Sequence, residues 1–271
     1  MGSAPHPKYL KNSINEFMEA MEVSDSIFLA LDLEGTLTES QGFFDPIELP
    51  DALIDALQSI ASNERFTVSI FGLHKHQDMA DAIPIKDIIL VSSASQHITV
   101  GGMVIVNPSI RSFGDKFDSI EEILGDVNFH RSDYMLSVDT KGMKRTGEGS
   151  ISDVVNRIKT KLAELGESRL GLRITPGSIN IYDITWTKAD ALNMVLGQMS
   201  YDTITPVYFG DDLSDEPVFE FVNRFPGQWS VIIMRGHKKT AARYYLKSVD
   251  ELTSLLIRLG YACDNLFSDE E

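Results

Sequence analysis

The sequence predicts an α/β protein built on a parallel sheet, with a second αβ domain inserted between the two halves of the core. Three observations lead to this prediction. Strand-like and helix-like segments alternate before residue 92 and again after residue 187, as they do in parallel sheets with crossover helices. The segment between these halves is richer in Pro, Ser, Gly and charge. Two acidic strings directly follow two of the apolar strands, at the edge where ligands bind in open α/β sheets.

The first half of the core is predicted from three apolar runs, which are typical of buried strands. These runs occupy residues 27–31, 66–71 and 87–91. A helix is expected after Pro50, because Leu53, Leu57 and Ile60 recur at helical spacing. A second helix is predicted over residues 75–82, and a short helix over residues 9–21 precedes the core.

The insertion and the second half of the core follow from the same signals. The insertion contains a predicted strand at 134–139, a helix at 152–165, and strands near 169–174 and 179–183. The core resumes with helices at 188–199, 216–222 and 250–259, and with strands at 206–209 and 229–234. We therefore predict one core domain from residues 25–107 and 184–271, and an inserted domain from residues 108–183.

The composition limits the partners that this chain can have. Its 24 Lys and Arg residues against 40 Asp and Glu residues give a formal net charge of -16, which disfavours nucleic acid and anionic membranes. The single cysteine, Cys263, excludes an internal disulfide. No stretch reaches the roughly 18 apolar residues of a membrane span. We therefore expect a cytoplasmic protein that binds a small molecule. The sequence does not indicate an oligomeric state.

The first acidic string, DLEGTLT at residues 32–38, places two carboxylates one residue apart at the end of a strand. Regular β geometry would point them to opposite faces, but Gly35 allows a turn that brings both into one crevice. Asp32 and Glu34 then suit a nucleophile paired with an acid/base group. A carboxylate can attack phosphorus when Mg²⁺ neutralises the approaching anions.

The second acidic string, YFGDDLSDEPVF at residues 208–219, supplies the remaining groups that such a reaction needs. Asp211 and Asp215 lie four residues apart at a strand-to-helix turn and offer hard oxygen ligands for the cation. Lys188, which begins its own helix, offers a positive charge to the phosphoryl oxygens.

These strings resemble two motifs of the haloacid dehalogenase superfamily. Residues 32–38 resemble its DxDGTLT motif, and residues 208–219 resemble its GDD-containing motif in the form typical of trehalose-6-phosphate phosphatases. TKADAL at 187–192 stands where that family has KGxAL, and SQH at 95–97 stands near its HG dipeptide. The resemblance covers residues 26–258, and it implies a Rossmann-like core with an inserted cap of the C2 type.

The resemblance also implies roles for individual residues. Asp32 would be the nucleophile and a Mg²⁺ ligand, and Glu34 would be the general acid/base whose backbone carbonyl also binds the metal. Asp211 would bind the metal directly, Asp215 would support its ligand shell, and Lys188 would hold the phosphoryl group. The implied activity is the hydrolysis of a sugar phosphate, first of all trehalose 6-phosphate, in trehalose biosynthesis.

The sequence departs from the family pattern at the phosphate-binding positions. Glu34 replaces an aspartate, and its additional methylene moves the carboxylate by about 1.5 Å; related enolase-phosphatases also have glutamate there. Gly72 occupies the position of a phosphate-binding hydroxyl. The backbone N–H groups of Gly72 and Leu73 are alternative donors, and either His74 or Lys75 can replace the family arginine. The alternative is that the histidines here are only exposed residues at the start of a helix.

Two further residues are candidates for substrate binding in the insertion. Asn180 corresponds to a glutamate that contacts sugar in the family. Lys141 begins a basic loop at residues 141–147, which is either a solvated hairpin tip or a substrate clamp.

Three other functions remain open. The first alternative is a catalytically degenerate relative of these phosphatases, which binds a sugar phosphate or a partner as a regulatory subunit. The second is a mutase, or a phosphatase for another small phosphate ester. A two-metal exonuclease also uses a DxE motif, but the charge of -16 and the second acidic string argue against it.

Overall fold

A nine-stranded sheet forms the larger of two compact units in this computed structural model. The structure describes residues 6–39, 42–108, 113–197, 204–234, 236 and 239–265. The first unit contains residues 1–40, 47–105 and 187–271, and the second contains residues 41–46 and 106–186.

The first unit contains nine strands and six α-helices among the described residues. The strands are β1 (Lys8–Tyr9), β2 (Ser26–Asp32), β3 (Phe66–Phe71), β4 (Ile89–Ser92), β5 (His97–Val100), β6 (Met103–Val106), β11 (Ile204–Gly210), β12 (Trp229–Ile233) and β13 (Tyr244–Leu246). The helices are α1 (Ile14–Val23), preceded by a 3₁₀ turn at Leu10–Ser13, α2 (Asp51–Ser62), α3 (His76–Ala82), α6 (Lys188–Leu196), α7 (Glu216–Val222) and α8 (Val249–Asn265).

The order of the strands places a topological switch point at the centre of this sheet. The order is β1-β13-β12-β11-β2-β3-β4-β5-β6, and the strands from β1 to β4 in this order all pair in parallel. The chain runs outward from β2 through β3 and β4, whereas β11 lies on the other side of β2. A crevice therefore opens at the carboxyl ends of β2 and β11, where ligands bind in such sheets.

Continuous apolar character explains why these central strands are buried on both faces. Six of the seven residues of β2 are buried, as are six of the seven residues of β11. A core of fully buried side chains, including Leu29, Ile70 and Phe209, packs against the helices on one face of the sheet. This core fixes the strand ends that carry the acidic strings.

Among its described residues, the second unit contains a four-stranded antiparallel sheet and two helices. Its strands are β7 (Phe129–Arg131), β8 (Met135–Asp139), β9 (Leu170–Thr175) and β10 (Ser178–Asp183), in the order β7-β8-β10-β9. Its helices are α4 (Gly114–Leu124) and α5 (Ile151–Glu164). Alternate residues of β8 and β10, such as Val138 and Ile179, are buried in one cluster with Phe117 of α4 and Ile158 of α5. This unit therefore has a hydrophobic core of its own.

The predicted fold class is confirmed, with differences in detail. β1, β5, β6, β7, β13 and α4 were not predicted. The helix predicted over residues 9–21 begins only at Ile14, and α8 extends six residues beyond the predicted end at residue 259. The predicted helix at 188–199 ends at Leu196, and residues 198 and 199 lie outside the described residues. Within the described ranges, no helix combines the length and the apolar character needed to cross a membrane.

Candidate active site

The two acidic strings meet because β2 and β11 are parallel neighbours. Leu31 pairs with Phe209, so Asp32 and Gly210 leave the sheet side by side. The chain turns directly after Asp32, where the Leu33 carbonyl accepts from the N–H groups of Leu37 and Thr38 at 3.0 and 2.9 Å. The turn places the residues of both strings in the crevice at the switch point.

Gly35 is required in this turn for two reasons. Its φ is +86°, which disfavours residues with a side chain. A Cβ at this position would also lie 2.4 Å from Oδ2 of Asp211, well inside van der Waals contact. The absence of a side chain therefore lets the second acidic string approach the first.

Three carboxylates converge in the crevice. Asp32, Asp211 and Asp215 each offer an oxygen, and these oxygens lie within 4.8 Å of one another. Asp32 and Asp215 are buried, and Asp211 is half-buried. A cluster of carboxylate oxygens is the donor set that Mg²⁺ and other hard divalent cations prefer, so these residues fit such an ion.

Lys188 supplies the positive charge in this cluster. Its Nζ lies 2.5 Å from Oδ1 of Asp32 and 2.7 Å from Oδ1 of Asp215. Lys188 is the first residue of α6, and Thr187 and Asp190 form a capping box that fixes this end of the helix. The helix start therefore determines where the ammonium group lies.

Asp215 holds the second acidic string in place. Its Oδ2 accepts the N–H groups of Asp211 and Asp212 at 2.9 and 3.0 Å, and its Oδ1 accepts the hydroxyl of Tyr208 at 2.6 Å. Burial raises the pKa of Tyr208 well above its ordinary value, and the charge of Asp215 raises it further, so the phenol remains a donor. Sequence reasoning missed Tyr208, although a phenol hydroxyl in the apolar run directly before the acidic string was the available signal.

The charge balance at Asp32 favours a cation. Burial raises the pKa of Asp32 well above its ordinary value, and the Asp215 carboxylate raises it further, whereas Lys188 opposes both effects. One ammonium group therefore does not compensate for the several carboxylates around it. A divalent cation among them would favour the ionised form of Asp32.

The Glu34 carboxylate contacts the segment that follows β3 and is not part of the Asp32, Asp211 and Asp215 cluster. It accepts the N–H of Leu73 at 2.9 Å through Oε1, and His74 Nδ1 lies 2.6 Å from the same oxygen. The Gly72 N–H donates to the Val91 carbonyl at 2.8 Å. The two N–H groups predicted to receive a phosphoryl oxygen thus already have protein acceptors. His74 is buried, so the alternative that it is merely exposed at the start of a helix is wrong.

The remaining predicted substrate-binding residues, Lys75, Asn180 and Lys141, belong to segments of the chain other than the two acidic strings. Lys75 is half-buried at the N-cap of α3. In the second unit, the buried Asn180 donates to Thr175 Oγ1 and Ser178 Oγ, both at 3.1 Å. Lys141 forms an ion pair of 2.6 Å with Asp45 of the same unit. Their contacts to substrate stay predictions.

A cavity that was not predicted lies beside the cluster within the first unit. It has a volume of about 150 Å³, and its lining includes Gly35, Asp211, Lys247 and Ser248. The last two residues lie directly before α8, far from the acidic strings in sequence. The crevice therefore has room next to the metal-binding candidates.

Comparison with known proteins shows which proteins this chain resembles. No protein-family model matches the chain. It is 25% identical over 253 residues to a Mycobacterium tuberculosis protein named as an uncharacterised glycosyl hydrolase, with 86% of this chain and 18% of that protein covered. The chain thus spans about a fifth of that relative. It is 22% identical over 275 residues to trehalose-phosphate phosphatase B of Arabidopsis thaliana, with 92% and 70% covered.

Solved structures share the fold. The C-terminal domain of Candida albicans trehalose-6-phosphate phosphatase matches with a TM-score of 0.74 at 16% identity, over 96% of this chain and 99% of that chain. A haloacid dehalogenase-like hydrolase from Bacteroides thetaiotaomicron matches with a TM-score of 0.62 at 12% identity, over 86% and 99%. In sequence this chain is thus similar to trehalose-phosphate phosphatases, and in fold it is similar to a trehalose-6-phosphate phosphatase and to a haloacid dehalogenase-like hydrolase.

Proposed function

We propose that the chain is a Mg²⁺-dependent phosphatase that hydrolyses a small sugar phosphate through an aspartyl-phosphate on Asp32. The observation that carries the proposal is the ammonium group of Lys188, which contacts the carboxylates of both Asp32 and Asp215 beside Asp211. A nucleophile, a cation-binding cluster and a phosphate-binding charge then share one crevice. Trehalose 6-phosphate is the first substrate to test, because relatives named as trehalose-phosphate phosphatases match in sequence.

Asp32, Asp211 and Asp215 would hold the metal, together with the backbone carbonyl of Glu34. When bound, Mg²⁺ would supply positive charge that keeps Asp32 ionised and neutralises the phosphoryl oxygens.

The side chains of this unit account for each movement of bonds and protons. In the first step an Asp32 oxygen bonds to phosphorus as the ester P–O bond breaks, and Glu34 gives its proton to the leaving alcohol. In the second step Glu34 takes a proton from water, whose oxygen attacks phosphorus and releases phosphate and free Asp32. Lys188 holds the phosphoryl oxygens throughout.

The net charge of the chain and its similarity to trehalose-phosphate phosphatases support a small phosphate ester as the substrate. A net charge of -16 disfavours a long anionic chain but tolerates a small phosphate ester that is met by Lys188 and a cation. Contacts of Asn180 and Lys141 with the sugar, and a cytoplasmic location, belong to this proposal as predictions from the sequence.

A phosphate-release assay tests the proposal directly. Purified protein is incubated with a panel of sugar phosphates, including trehalose 6-phosphate, with Mg²⁺ or with a chelator. We expect Mg²⁺-dependent release that falls on the order of 10² to 10⁴-fold in Asp32→Asn. Asp212→Asn is the matched control, because this neighbour lies outside the carboxylate cluster. No turnover of any substrate by folded protein would rule the proposal out.

The second candidate function is a degenerate regulatory subunit that binds a sugar phosphate or a partner without turnover. The specific observation in its favour is that Glu34 is bound to Leu73 and His74 and does not join the other carboxylates. Calorimetry with the same sugar phosphates separates the two functions. Binding without release of phosphate, and activity that appears only in Glu34→Asp with Gly72→Ser, would favour the regulatory function.

A further inference from the structure

The Glu34 carboxylate lies between two donors that belong to one short segment. The Leu73 N–H donates to both carboxylate oxygens, at 2.9 Å to Oε1 and 3.2 Å to Oε2. His74 Nδ1 lies 2.6 Å from Oε1. A carboxylate oxygen accepts hydrogen bonds, so the His74 tautomer with its proton on Nδ1 is the one that donates to Oε1.

The segment that carries the donors is held on both sides of Leu73. The Gly72 N–H donates to the Val91 carbonyl, and the Ser93 N–H donates to the His74 carbonyl, each at 2.8 Å. These bonds continue the parallel pairing of β3 with β4 beyond the last residue of β3. The His74 side chain is only 2% exposed, against 14% for Glu34. The sheet therefore fixes the positions of the donors, and the Glu34 side chain takes the conformation that brings its carboxylate to them.

We propose that His74 is a positioning residue for Glu34, so that the acid/base group of this chain works as a Glu34–His74 pair. The inference rests on the proposed function, in which Glu34 transfers the proton. Glutamate has three side-chain torsions, and an unheld carboxylate samples many positions. An acid/base group works only within hydrogen-bond reach of the proton that it transfers, so the bond from His74 selects the productive position.

The length of the side chain at position 34 decides whether the pair forms. Aspartate is shorter by one carbon–carbon bond, about 1.5 Å, and its carboxylate would not keep a 2.6 Å contact with the His74 ring. The two side chains therefore act as a unit, and a change in one alters what the other contributes.

Two substitutions at His74 separate its donor from its volume. His74→Asn places an amide nitrogen at the same branch point as Nδ1, whereas His74→Leu fills buried space without a donor. With the sugar phosphate turned over in the panel, we expect His74→Leu to lower kcat by about 10- to 100-fold while KM changes by less than about threefold. His74→Asn should keep kcat within about fivefold of the unaltered protein. His76→Asn is the control, because His76 contacts His97 and Thr99.

The effect of His74→Leu on kcat is also measured in the Glu34→Asp variant. This comparison distinguishes a positioning role of His74 from a purely structural one. The bond to His74 is already lost in Glu34→Asp, so adding His74→Leu should lower kcat by less than about threefold. Equal losses in the two backgrounds would mean that His74 only supports the fold.

A spectroscopic arm tests the pair without reference to turnover. In ¹⁵N-histidine-labelled protein, which contains six histidines, we expect one slowly exchanging, strongly downfield Nδ1–H signal. It should vanish in His74→Leu and move in Glu34→Asp. Absence of this signal from the unaltered protein would overturn the pair itself. Full kcat in His74→Leu would overturn the positioning role alone, whereas no turnover by the unaltered protein would overturn the proposed function and the role with it.

Discussion

Gly72 shows how packing restricts a position that a sequence motif would fill with serine. A Cβ at Gly72 would lie 2.8 Å from Sδ of Met79 and 3.2 Å from Cδ2 of Leu33, and both neighbours are fully buried. We predict that Gly72→Ser lowers the free energy of unfolding by about 1 to 3 kcal/mol, near the lower end because methionine adapts its shape. Urea unfolding measures the change.

Removing the crowded neighbour provides the control for this prediction. Met79→Ala alone should cost about 2 to 5 kcal/mol as a cavity-forming substitution, but together with Gly72→Ser it should cost less than the sum of the two. Strict additivity, or a Gly72→Ser protein as stable as the unaltered one, would show that packing does not restrict this position.

Residue-level prediction succeeded where a strand end determines the position of a side chain. The strand-end argument placed Asp32 and Asp211 at one edge, and the structure brings both together with Asp215 and Lys188. The direction of the Glu34 carboxylate was not predictable, because it depends on side-chain torsions and on donors some 40 residues away. The catalytic roles of these residues stay predictions.

The start of α6 is the element on which the position of Lys188 depends. Thr187 Oγ1 accepts the N–H of Asp190 at 3.3 Å, and the Asp190 carboxylate accepts the N–H of Thr187 at 2.8 Å. We predict that Thr187→Ala costs about 1 kcal/mol in the free energy of unfolding and lowers kcat by about 3- to 10-fold, because the first turn of α6 loosens. Thr187→Ser keeps the hydroxyl and should match the unaltered protein in both measurements. Unchanged kcat in the alanine variant would contradict this dependence.

Asp183, at the end of β10 in the second unit, makes the stability of the fold depend on pH. Burial raises the pKa of Asp183, but hydrogen bonds from Thr185 and from Arg169 outweigh burial and hold this pKa below its ordinary value. A carboxylate with a depressed folded-state pKa stabilises the fold above its unfolded-state pKa of about 3.9, and the stabilisation is lost as the pH falls through the folded-state pKa.

We therefore predict that Asp183→Asn lowers Tm at pH 6 and that its difference from the unaltered protein shrinks below about pH 4. Thermal unfolding between pH 6 and pH 2.5 measures this difference. A difference that stays constant over the whole range would mean that Asp183 acts only through its shape.

Element-level prediction failed where the signal was short or diluted by charge. β5 and β6 have four residues each, and β7 has three, too few for a periodic pattern. α4 buries Phe117, Ile120 and Leu124 at helical spacing, but its acidic positions concealed this pattern in the sequence. The long apolar strands and the regularly spaced helices were predictable because the apolar residues that they bury form a continuous run or recur at helical spacing in the sequence.

At the scale of the whole molecule, a short segment without a recognisable pattern does not reveal which distant unit it joins. Residues 41–46 belong with the second unit, although residues 47–105 separate them from the rest of it. Asp45 pairs with Lys141 at 2.6 Å, and the Phe43 ring stacks on His130 with centroids 5.6 Å apart. Such contacts depend on the folded chain, so the segment carries no local signal of where it belongs.

The net charge of -16 predicts how ionic strength acts on the proposed reaction. A phosphate ester approaches against the field of the protein, and salt screens that field, since the Debye length falls from about 30 Å at 0.01 M to about 8 Å at 0.15 M. We expect kcat/KM for a sugar phosphate to rise about 2- to 10-fold over this range, with kcat nearly unchanged. Saturating Mg²⁺ is kept in every sample so that weaker cation binding does not mask the effect. Steady-state kinetics in increasing NaCl provide the measurement, and a fall in kcat/KM would show that the local positive field of Lys188 and the cation dominates the approach.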